Sequence, residues 1–451
     1  MDRFDIRGGI RLAGRMTAHG SKNAALPLLA AALLTDEPVT LRDVPDLADI
    51  RSMMTLLPRL GCGVEYERAG DNELPGGVVR MQVSDRSVSH APYEIVRTMR
   101  ASICVLGPML ARRGQARVSL PGGCSIGERP VDLHIRGLQA LGADITLDGG
   151  DITARIPRVN GRPGRLKGAR VFLGGPFGST VLGTANVMSA ATLAEGRTII
   201  ECSACEPEIV DLANMLTAMG ARIGGAGSPR ITIDGVDRLK GVEHTVIPDR
   251  IEAGTYMCAA LITNGDITID NCPSDALMAH IDRLQHAGAH FTIDEKGDPM
   301  RATVRVQGAG SRGIQPIEAT TQPHPGFPTD LQAQLMATLA LADGNSVITE
   351  RIFTERFLHV AELSRMGASL FRQGPTVIVS GVRRLIGAPV MASDLRASAC
   401  LVLAGLAAEG TTQINRVYHL DRGYQRMEET LTTLGAQISR VSEKEAAGAA
   451  G

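Results

Sequence analysis

The sequence predicts an α/β protein made of six similar helix-and-strand units, and the first observation behind this is a repeated phrase. A glycine that follows a large apolar residue or alanine and precedes a small residue recurs at similar intervals along the 451 residues. The six copies centre on Gly61, Gly142, Gly220, Gly288, Gly367 and Gly435. Six units of similar length therefore follow one another.

The second observation is the pattern around each copy. An amphipathic stretch such as 282–287 comes before the glycine, and an alternating stretch such as 290–294 comes after it. A helix closed by glycine and followed by a strand has this pattern.

The third observation is a nearly all-apolar helix upstream of each copy, ended by a turn and a short strand. The turns are predicted at Gly114, Gly196, Gly265, Gly344 and Gly410, and at Asp36-Glu37-Pro38 in the first unit. Helices that are apolar on every side must be buried, so strands and amphipathic helices should enclose them. Because one core rarely grows past about 250–300 residues, we expect two halves of three units each, with the ligand site in the cleft between the halves.

Composition excludes several classes of function. Hydrophobic residues make up 44% of the chain, and 47 basic against 48 acidic residues leave a net charge of -1. There is no overall basic field to attract nucleic acid or an acidic membrane surface. The N-terminus lacks the pattern of a signal peptide, and the longest apolar runs, such as 24–34, fall short of the roughly 20 residues that span a bilayer. We expect a soluble cytoplasmic protein without nucleic-acid or membrane partners, and the sequence does not indicate its oligomeric state.

The eight cysteines are scattered, as is typical of reduced thiols in a reducing compartment. Cys202 and Cys205 form a single CxxC that is better interpreted as two ordinary thiols than as a metal or redox site. No His/Cys/Asp cluster has the spacing of metal ligands, so neither a metal nor a cofactor is predicted.

The stretch 119–133 is predicted to be a loop that holds Cys124. Glycines and the prolines Pro121 and Pro130 interrupt any regular period, and Arg129 follows the cysteine by five residues. A nearby guanidinium favours the thiolate, which makes such a cysteine a better nucleophile or acid. The alternative is a turn with a small, incidental apolar cysteine.

Several stretches together carry a family resemblance that covers nearly the whole chain. They are Gly20-Ser21-Lys22-Asn23-Ala24-Ala25-Leu26-Pro27, Met99-Arg100-Ala101-Ser102, the Cys124 loop, Glu206-Pro207-Glu208-Ile209-Val210-Asp211, Pro248-Asp249-Arg250-Ile251-Glu252, Pro323-His324-Pro325-Gly326-Phe327-Pro328-Thr329-Asp330, Asp394-Leu395-Arg396-Ala397-Ser398 and Asp421-Arg422-Gly423-Tyr424. With these, the chain resembles the UDP-N-acetylglucosamine 1-carboxyvinyltransferases, the enolpyruvyl transferases that begin bacterial peptidoglycan precursor synthesis.

The resemblance implies a fold of two inside-out α/β barrel domains that close on substrate. It assigns 21–247 to the first lobe and 1–20 with 248–440 to the second, and it leaves 441–451 as a flexible tail.

The resemblance also implies the chemistry, in which the enolpyruvyl group of phosphoenolpyruvate moves to the 3-hydroxyl of UDP-N-acetylglucosamine and phosphate leaves. Lys22, Arg129 and Arg422 take the family's positions for binding the phosphoenolpyruvate anions, and Arg396 completes the cluster. By the same resemblance Cys124 is the acid that protonates the methylene carbon, and Asp330 is the candidate base for the hydroxyl.

The nucleotide sugar is expected to meet three groups of residues, again by resemblance. They are the loop Arg129, Pro130, Val131, Asp132 and Leu133 for uridine; Arg100 with Gly175, Pro176, Phe177 and Gly178 for the diphosphate; and Asn23, Asp330 and Ile352 for the sugar. The run 173–180 is a glycine-rich strand-to-helix junction whose free N–H groups suit an anion, but it lacks the lysine of a P-loop.

Each of these residues also has a plainer interpretation. Lys22 could be a solvated residue of an N-terminal helix, Arg422 a surface charge, Asp330 an ordinary helix N-cap and 173–180 a tight turn. The chain also departs from the family pattern at Pro176-Phe177, Cys104, Cys205 and Ala48. Two competing functions therefore remain: the sibling shikimate-3-phosphate transferase, which lacks the Pro-Gly-Gly-Cys loop, and a paralogue that binds nucleotide sugar without turnover.

Overall fold

The computed structural model describes residues 2–68, 74–97, 99–120, 131–158 and 164–442. Contacts between Cα atoms divide the chain into two compact units. The first unit runs from Gly20 to Ile247, and the second combines the N-terminal residues up to His19 with the chain from Pro248 onward. Each unit has its own hydrophobic core.

The strands are short and are numbered here along the chain. They are β1 (Arg3–Arg7), β2 (Ala13–Thr17), β3 (Val39–Val44), β4 (Cys62–Glu67), β5 (Gly77–Val83), β6 (His90–Ala91), β7 (Gln115–Ser119), β8 (Asp144–Asp148), β9 (Asp151–Arg155), β10 (Arg170–Phe172), β11 (Gly174–Gly175), β12 (Gly178–Ser179), β13 (Arg197–Glu201), β14 (Arg222–Gly224), β15 (Arg230–Asp234), β16 (Val242–Thr245), β17 (Asp266–Cys272), β18 (His290–Asp294), β19 (Ala302–Gln307), β20 (Glu318–Thr320), β21 (Asn345–Thr349), β22 (Ser369–Gln373), β23 (Thr376–Ser380), β24 (Pro389–Met391), β25 (Thr411–Asn415) and β26 (Gln437–Val441).

The α-helices are numbered in the same way. They are α1 (Lys22–Ala31), α2 (Ala48–Arg59), α3 (Tyr93–Val96), α4 (Leu106–Arg113), α5 (Asp132–Ala140), α6 (Val181–Ala191), α7 (Pro207–Ala218), α8 (Arg250–Ile262), α9 (Met278–His286), α10 (Gln332–Leu339), α11 (Leu358–Arg365), α12 (Leu395–Ala407) and α13 (Met427–Thr433).

Within the described residues, the strands other than the hairpin β11-β12 form four-stranded mixed sheets, three of them in each unit. In the first unit the orders are β16-β3-β5-β4, β6-β7-β9-β8 and β10-β13-β15-β14; in the second they are β18-β19-β17-β2, β20-β21-β23-β22 and β24-β25-β1-β26. Each of these four-stranded sheets has one parallel pair at an edge and antiparallel pairs elsewhere. In one of them, for example, Val347 lies opposite Glu318 in parallel register and opposite Ile378 in antiparallel register. The predicted α/β class is therefore confirmed as a fold with mixed sheets.

The prediction of buried apolar helices is confirmed in five of the six repeats, whereas α4 is buried only over 106–110. All residues of α8 are buried, and α1, α6, α10 and α12 are buried over nearly their whole length. By contrast, α2, α5, α9 and α11 bury one side only. Each of these amphipathic helices leads into a strand that pairs with the sheet of its repeat.

The repeated glycines end helices as predicted. Gly61, Gly142, Gly220, Gly288, Gly367 and Gly435 all have positive φ, between 74° and 106°, and each precedes a strand. Only glycine adopts this left-handed backbone without a steric penalty, so the repeat is a set of helix ends.

One predicted turn glycine has a different role. Gly114, Gly196, Gly344 and Gly410 have positive φ. In the turn of Gly265 the preceding residue, Asn264, takes the left-handed conformation instead, with φ 50°. A Cβ on Gly265 would lie 2.5 Å from the Leu12 carbonyl oxygen. The glycine is therefore needed there for close approach of two backbones rather than for its dihedral freedom.

Among the helices of the described ranges, none combines the length and the apolar character needed to cross a membrane.

Candidate active site

Three predicted site residues lie outside the described part of the chain. Cys124, Arg129 and Pro130 belong to the stretch 121–130, and the predicted tail beyond Ser442 also falls outside it. The other predicted residues are distributed over both units.

Lys22 and Asn23 occupy the first turn of α1. Ser21 caps this helix by accepting a hydrogen bond from the Ala24 N–H. Lys22 is only 7% exposed, and its Nζ lies 3.0 Å from Asp49 Oδ2 on α2. The interpretation of Lys22 as a solvated surface charge is therefore wrong: burying an ammonium group requires a partner of opposite charge, and α2 supplies one.

The last two residues of the loop predicted to meet uridine are helical. Val131 precedes α5, and Asp132 and Leu133 lie in its first turn. Ser119, at the other end of the predicted loop, is the last residue of β7. The prediction of a loop over 119–133 is therefore wrong at these three positions. Asp132 favours this helix start because its negative charge lies at the positive end of the helix dipole.

The glycine-rich run 173–180 folds as a tight hairpin followed by α6. Gly175 pairs with Gly178 across the turn, and Phe177 at its tip is exposed. Thr180 then caps α6 by accepting a hydrogen bond from the Gly183 N–H. The predicted junction of strand and helix is confirmed.

This hairpin lies against the start of α5. Arg136 donates a hydrogen bond from Nη2 to the Gly174 carbonyl over 3.3 Å, and a Cβ on Gly175 would lie 3.3 Å from Leu133 Cδ1. The structure thus brings together Leu133, predicted to meet uridine, and the hairpin predicted to meet the diphosphate. Arg100 begins a 3₁₀ turn, Arg100–Val105, and is half-buried in the same unit.

In the second unit the structure brings Asp330 and Arg396 into contact. Asp330 lies in the 3₁₀ turn Thr329–Leu331, and its Oδ2 accepts a hydrogen bond from Arg396 Nη2 over 3.1 Å. Its Oδ1 accepts one from Arg356 Nη1 over 2.7 Å. Leu331, rather than Asp330, occupies the N-cap of α10, so the interpretation of Asp330 as the cap of that helix is wrong.

Arg396 is fixed by its neighbours on every side. Asp394 caps α12 by accepting from the N–H groups of Arg396 and Ala397. Arg396 Nη1 donates to Tyr424 Oη over 3.3 Å, and Tyr424 Oη lies 2.8 Å from Thr255 Oγ1. Burial alone lowers the pKa of Arg396, but the charges of Asp330, Tyr424 and Asp249 outweigh burial, and the net effect raises that pKa. The guanidinium is a permanent, immobile cation.

The N-terminal ends of three buried helices therefore meet in the second unit. Asp330 precedes α10, Arg396 lies in the first turn of α12, and the buried Asp249, whose charge acts on Arg396, caps α8. Helix N-termini carry partial positive charge, which adds to that of Arg356 and Arg396. The arrangement suits a small ligand with negative charges.

Arg422 closes the 3₁₀ turn Val417–Arg422. The preceding residue, Asp421, accepts two hydrogen bonds from Arg440, over 2.8 and 2.7 Å, which fix the end of this turn. Arg422 is half-buried, and its charge helps to lower the pKa of His419, although burial is the larger cause.

Ile352 is half-buried and follows the strand β21. Its N–H donates to Glu350 Oε1 over 2.8 Å.

Sequence reasoning missed Arg356, Glu350 and Thr329. Arg356 is buried beside Asp330, and Glu350 is buried completely. Arg356 and Asp330 are 26 positions apart, in segments without periodicity, so the sequence contained no signal for their pairing. A charged residue in a turn is usually solvated, and only the structure shows that these are not.

Within the described residues, no group of three or more His, Cys, Asp or Glu side chains could hold a metal ion. Burial is the main cause that raises the pKa of the Cys205 thiol.

Comparison with solved structures places this fold among the enolpyruvyl transferases. The chain superposes on the enolpyruvyl transferase NikO from Streptomyces tendae with a TM-score of 0.84, at 24% identity and over 98% of this chain and 99% of that one. It superposes on EPSP synthase from Acinetobacter baumannii with a TM-score of 0.73, at 18% identity and over 98% and 100% of the two chains.

The chain belongs to the EPSP synthase (3-phosphoshikimate 1-carboxyvinyltransferase) family, whose model matches residues 6–431. It is 52% identical to a UDP-N-acetylglucosamine 1-carboxyvinyltransferase from Anaeromyxobacter sp., over 98% of this chain and 99% of that protein. It is 50% identical to a protein of the same name from Methylacidiphilum infernorum, over 98% and 100% of the two chains.

Proposed function

We propose that this protein transfers the enolpyruvyl group of phosphoenolpyruvate to the 3-hydroxyl of UDP-N-acetylglucosamine and releases phosphate. The observation that carries the proposal is the 52% identity, over essentially full length, to a protein named for this reaction. The product would enter peptidoglycan synthesis, and the cytoplasm is the compartment in which we expect the enzyme.

The proposed reaction has an addition step and an elimination step. Asp330 accepts the proton of the sugar hydroxyl as the hydroxyl oxygen bonds to the central carbon of phosphoenolpyruvate. At the same time Cys124 gives its proton to the methylene carbon. In the elimination step the Cys124 thiolate takes a proton back from that carbon, and phosphate leaves the central carbon with the proton that Asp330 accepted, which restores the double bond and both side chains. The net result is an enol ether and inorganic phosphate.

The cations proposed to bind phosphoenolpyruvate are Lys22, Arg129, Arg396 and Arg422, and the structure adds Arg356 as a candidate. Arg356 and Arg396 already hold Asp330 by hydrogen bonds of 2.7 and 3.1 Å. Each guanidinium has five N–H donors. An incoming carboxylate can therefore accept charge-assisted hydrogen bonds from Arg356 and Arg396 while Asp330 keeps its place.

The proposed contacts to the nucleotide sugar follow the groups given above. Val131, Asp132 and Leu133 would meet uridine together with Arg129 and Pro130. Arg100 and the hairpin residues Gly175, Pro176, Phe177 and Gly178 would face the diphosphate, and Asn23, Asp330 and Ile352 the sugar. The contact between Arg136 and the Gly174 carbonyl supports treating the first two groups as one surface.

We also propose the domain plan that the resemblance implies. In it, 21–247 form one inside-out α/β barrel and 1–20 with 248–440 form the other, with 441–451 as a tail. The three mixed sheets in each unit and the buried α8 and α12 support this plan.

The experiment that tests the function compares acceptors. Purified protein is incubated with phosphoenolpyruvate and either UDP-N-acetylglucosamine or shikimate 3-phosphate, and inorganic phosphate is measured. We expect release with the nucleotide sugar alone. Release with shikimate 3-phosphate alone would assign the protein to the other reaction, and calorimetric binding of the nucleotide sugar without release would favour the non-catalytic paralogue.

The role of Cys124 is tested by Cys124→Ala. If the thiol is the acid, the variant should lose phosphate release by about 100-fold or more, the lower end of what a positioned acid contributes. Cys205→Ala is the control, because that thiol has no part in the proposed reaction. Full activity of Cys124→Ala would remove the cysteine from the mechanism.

A further inference from the structure

A fully buried carboxylate lies behind the cluster of Asp330, Arg356 and Arg396. Glu350 is 0% exposed. Its Oε1 accepts hydrogen bonds from Thr321 Oγ1 over 2.7 Å, from the Ile352 N–H over 2.8 Å and from the Phe353 N–H over 3.0 Å. Its Oε2 accepts one from Thr329 Oγ1 over 2.8 Å. A buried charge is tolerated only when hydrogen bonds satisfy it in this way.

Thr329 connects this carboxylate to the site. Its hydroxyl donates to Glu350 and accepts a hydrogen bond from Arg356 Nη1 over 3.1 Å. The same Nη1 donates to Asp330 Oδ1 over 2.7 Å. A hydroxyl has one proton and two lone pairs, so when the proton points to Glu350 the lone pairs remain for Arg356.

The direction of these hydrogen bonds is therefore set by Glu350. Both of its oxygens act as acceptors, so Thr329 donates to Oε2 and its lone pairs accept from Arg356. Arg356, held in place by Thr329, donates to Asp330 Oδ1, while Arg396 donates to the other oxygen of that carboxylate. The Glu350 carboxylate also accepts from the Ile352 N–H, so one buried group supports two residues proposed to face the sugar.

We infer that Glu350 and Thr329 are positioning residues of the transfer reaction, which hold Arg356 and Asp330 in the geometry that the reaction needs. The inference rests on the proposed function and adds residues that touch no substrate themselves. Small displacements of a catalytic group are costly because reacting atoms must be held within narrow limits of distance and angle.

Two threonines provide a matched pair for the test. Thr321 and Thr329 both donate to Glu350, but Thr321 donates to Oε1, which keeps two backbone donors without it. The second contact of Thr321 is the Arg351 N–H, whereas that of Thr329 is Arg356. Thr321→Val and Thr329→Val therefore remove the same kind of bond from the same carboxylate, and only the second one severs the link to Arg356.

The expected results separate positioning from general stability. Thr329→Val should lower kcat about tenfold or more. Thr329→Ser, which keeps the hydroxyl, should have a kcat within about twofold of wild type. Thr321→Val should also keep kcat within about twofold of wild type, although its Tm should fall about as much as that of Thr329→Val. Glu350→Gln should resemble Thr329→Val, because an amide nitrogen in place of Oε2 cannot accept the threonine proton. If Glu350→Gln does not fold, the threonine variants decide the question.

Equal losses of kcat in Thr321→Val and Thr329→Val, or no rescue by serine, would overturn the inference and leave Glu350 a structural residue. Failure of the proposed function looks different, since the wild type would then release no phosphate. In that case calorimetric binding of UDP-N-acetylglucosamine decides. An affinity weakened at least about fivefold in Thr329→Val and unchanged in Thr321→Val supports the inference, while a wild type that does not bind overturns it as well.

Discussion

At the residue scale the central feature is Asp330 between two buried guanidinium groups. Arg356 holds one of its oxygens at 2.7 Å and Arg396 the other at 3.1 Å. The sequence pointed to Asp330 and Arg396 through the motifs that contain them. It gave no indication of Arg356, because the pairing depends on where two irregular segments meet in space.

Asp330→Asn tests the role of this carboxylate in the proposed reaction. The amide keeps the shape but cannot take up the sugar proton, so kcat should fall about 100-fold or more. Asp234→Asn is the control, because Asp234 also accepts two hydrogen bonds from guanidinium groups, both from Arg197, but lies on β15 in the other unit. Steady-state phosphate release measures both variants, and a kcat near wild type in Asp330→Asn would rule out this residue as the base.

At the element scale the predicted site residues concentrate at the beginnings of buried helices. Lys22 and Asn23 start α1, Asp330 precedes α10, and Arg396 starts α12. A helix start carries a partial positive charge, so the repeated unit places an end that favours negative charge at each of these positions. The sequence could predict these helices because their apolar character and their closing glycines are local signals.

Local signals failed where a distant segment decides the conformation. Asp132 and Leu133 were predicted to be loop because glycine and proline dominate the run before them, yet α5 begins at Asp132. Gly265 follows the same sequence pattern as the other turn glycines, but it is required by the close approach of the Leu12 carbonyl oxygen, which lies just before β2 and far away in the sequence.

The N-cap of α8 leads to a prediction about pH. Asp249 is buried, and burial raises its pKa above the ordinary value of 3.8, although Arg396 partly offsets this. A raised pKa in the folded state means that the stabilising contribution is complete below pH 3.8 and is lost as pH rises through the raised pKa. Asp249→Asn keeps a good N-cap and has no charge to bury, so at pH 7 its Tm should exceed that of wild type.

The difference in Tm should shrink as pH falls toward the ordinary value of the carboxyl group. A change of about 1 kcal/mol corresponds to about 2–4 °C in a domain of this size, which thermal melts resolve. Asp249→Ala is the matched control, because it also removes the charge but loses the cap, at a cost of about 1 kcal/mol. A lower Tm for Asp249→Asn than for wild type at pH 7 would contradict the argument.

At the scale of the whole molecule the repeat accounts for the architecture. Six copies of one helix-and-strand phrase correspond to the six four-stranded sheets of the described part of the chain, three in each unit. The sequence predicted the number of repeats because its glycines recur at similar intervals. It could not show how the sheets are completed, because the strands that complete several of them come from elsewhere in the chain.

Those completing strands are β1, β2 and β16. The N-terminal strand β1 lies between β25 and β26, and β2 pairs with β17 from residues about 250 positions later in the chain. In the first unit β16 completes the sheet of β3. Such pairings bring together strands that are far apart in the sequence, with long stretches of chain closing between them. The local periodicity of apolar residues does not show which distant strands will pair.

The transfer reaction itself is the claim on which the remaining proposals depend. It is tested most directly by following phosphoenolpyruvate and UDP-N-acetylglucosamine together, with phosphate and the mass of the sugar nucleotide measured in the same sample. The account predicts one phosphate released for each nucleotide sugar that gains an enolpyruvyl group. A nucleotide sugar of unchanged mass and no phosphate after prolonged incubation would contradict it.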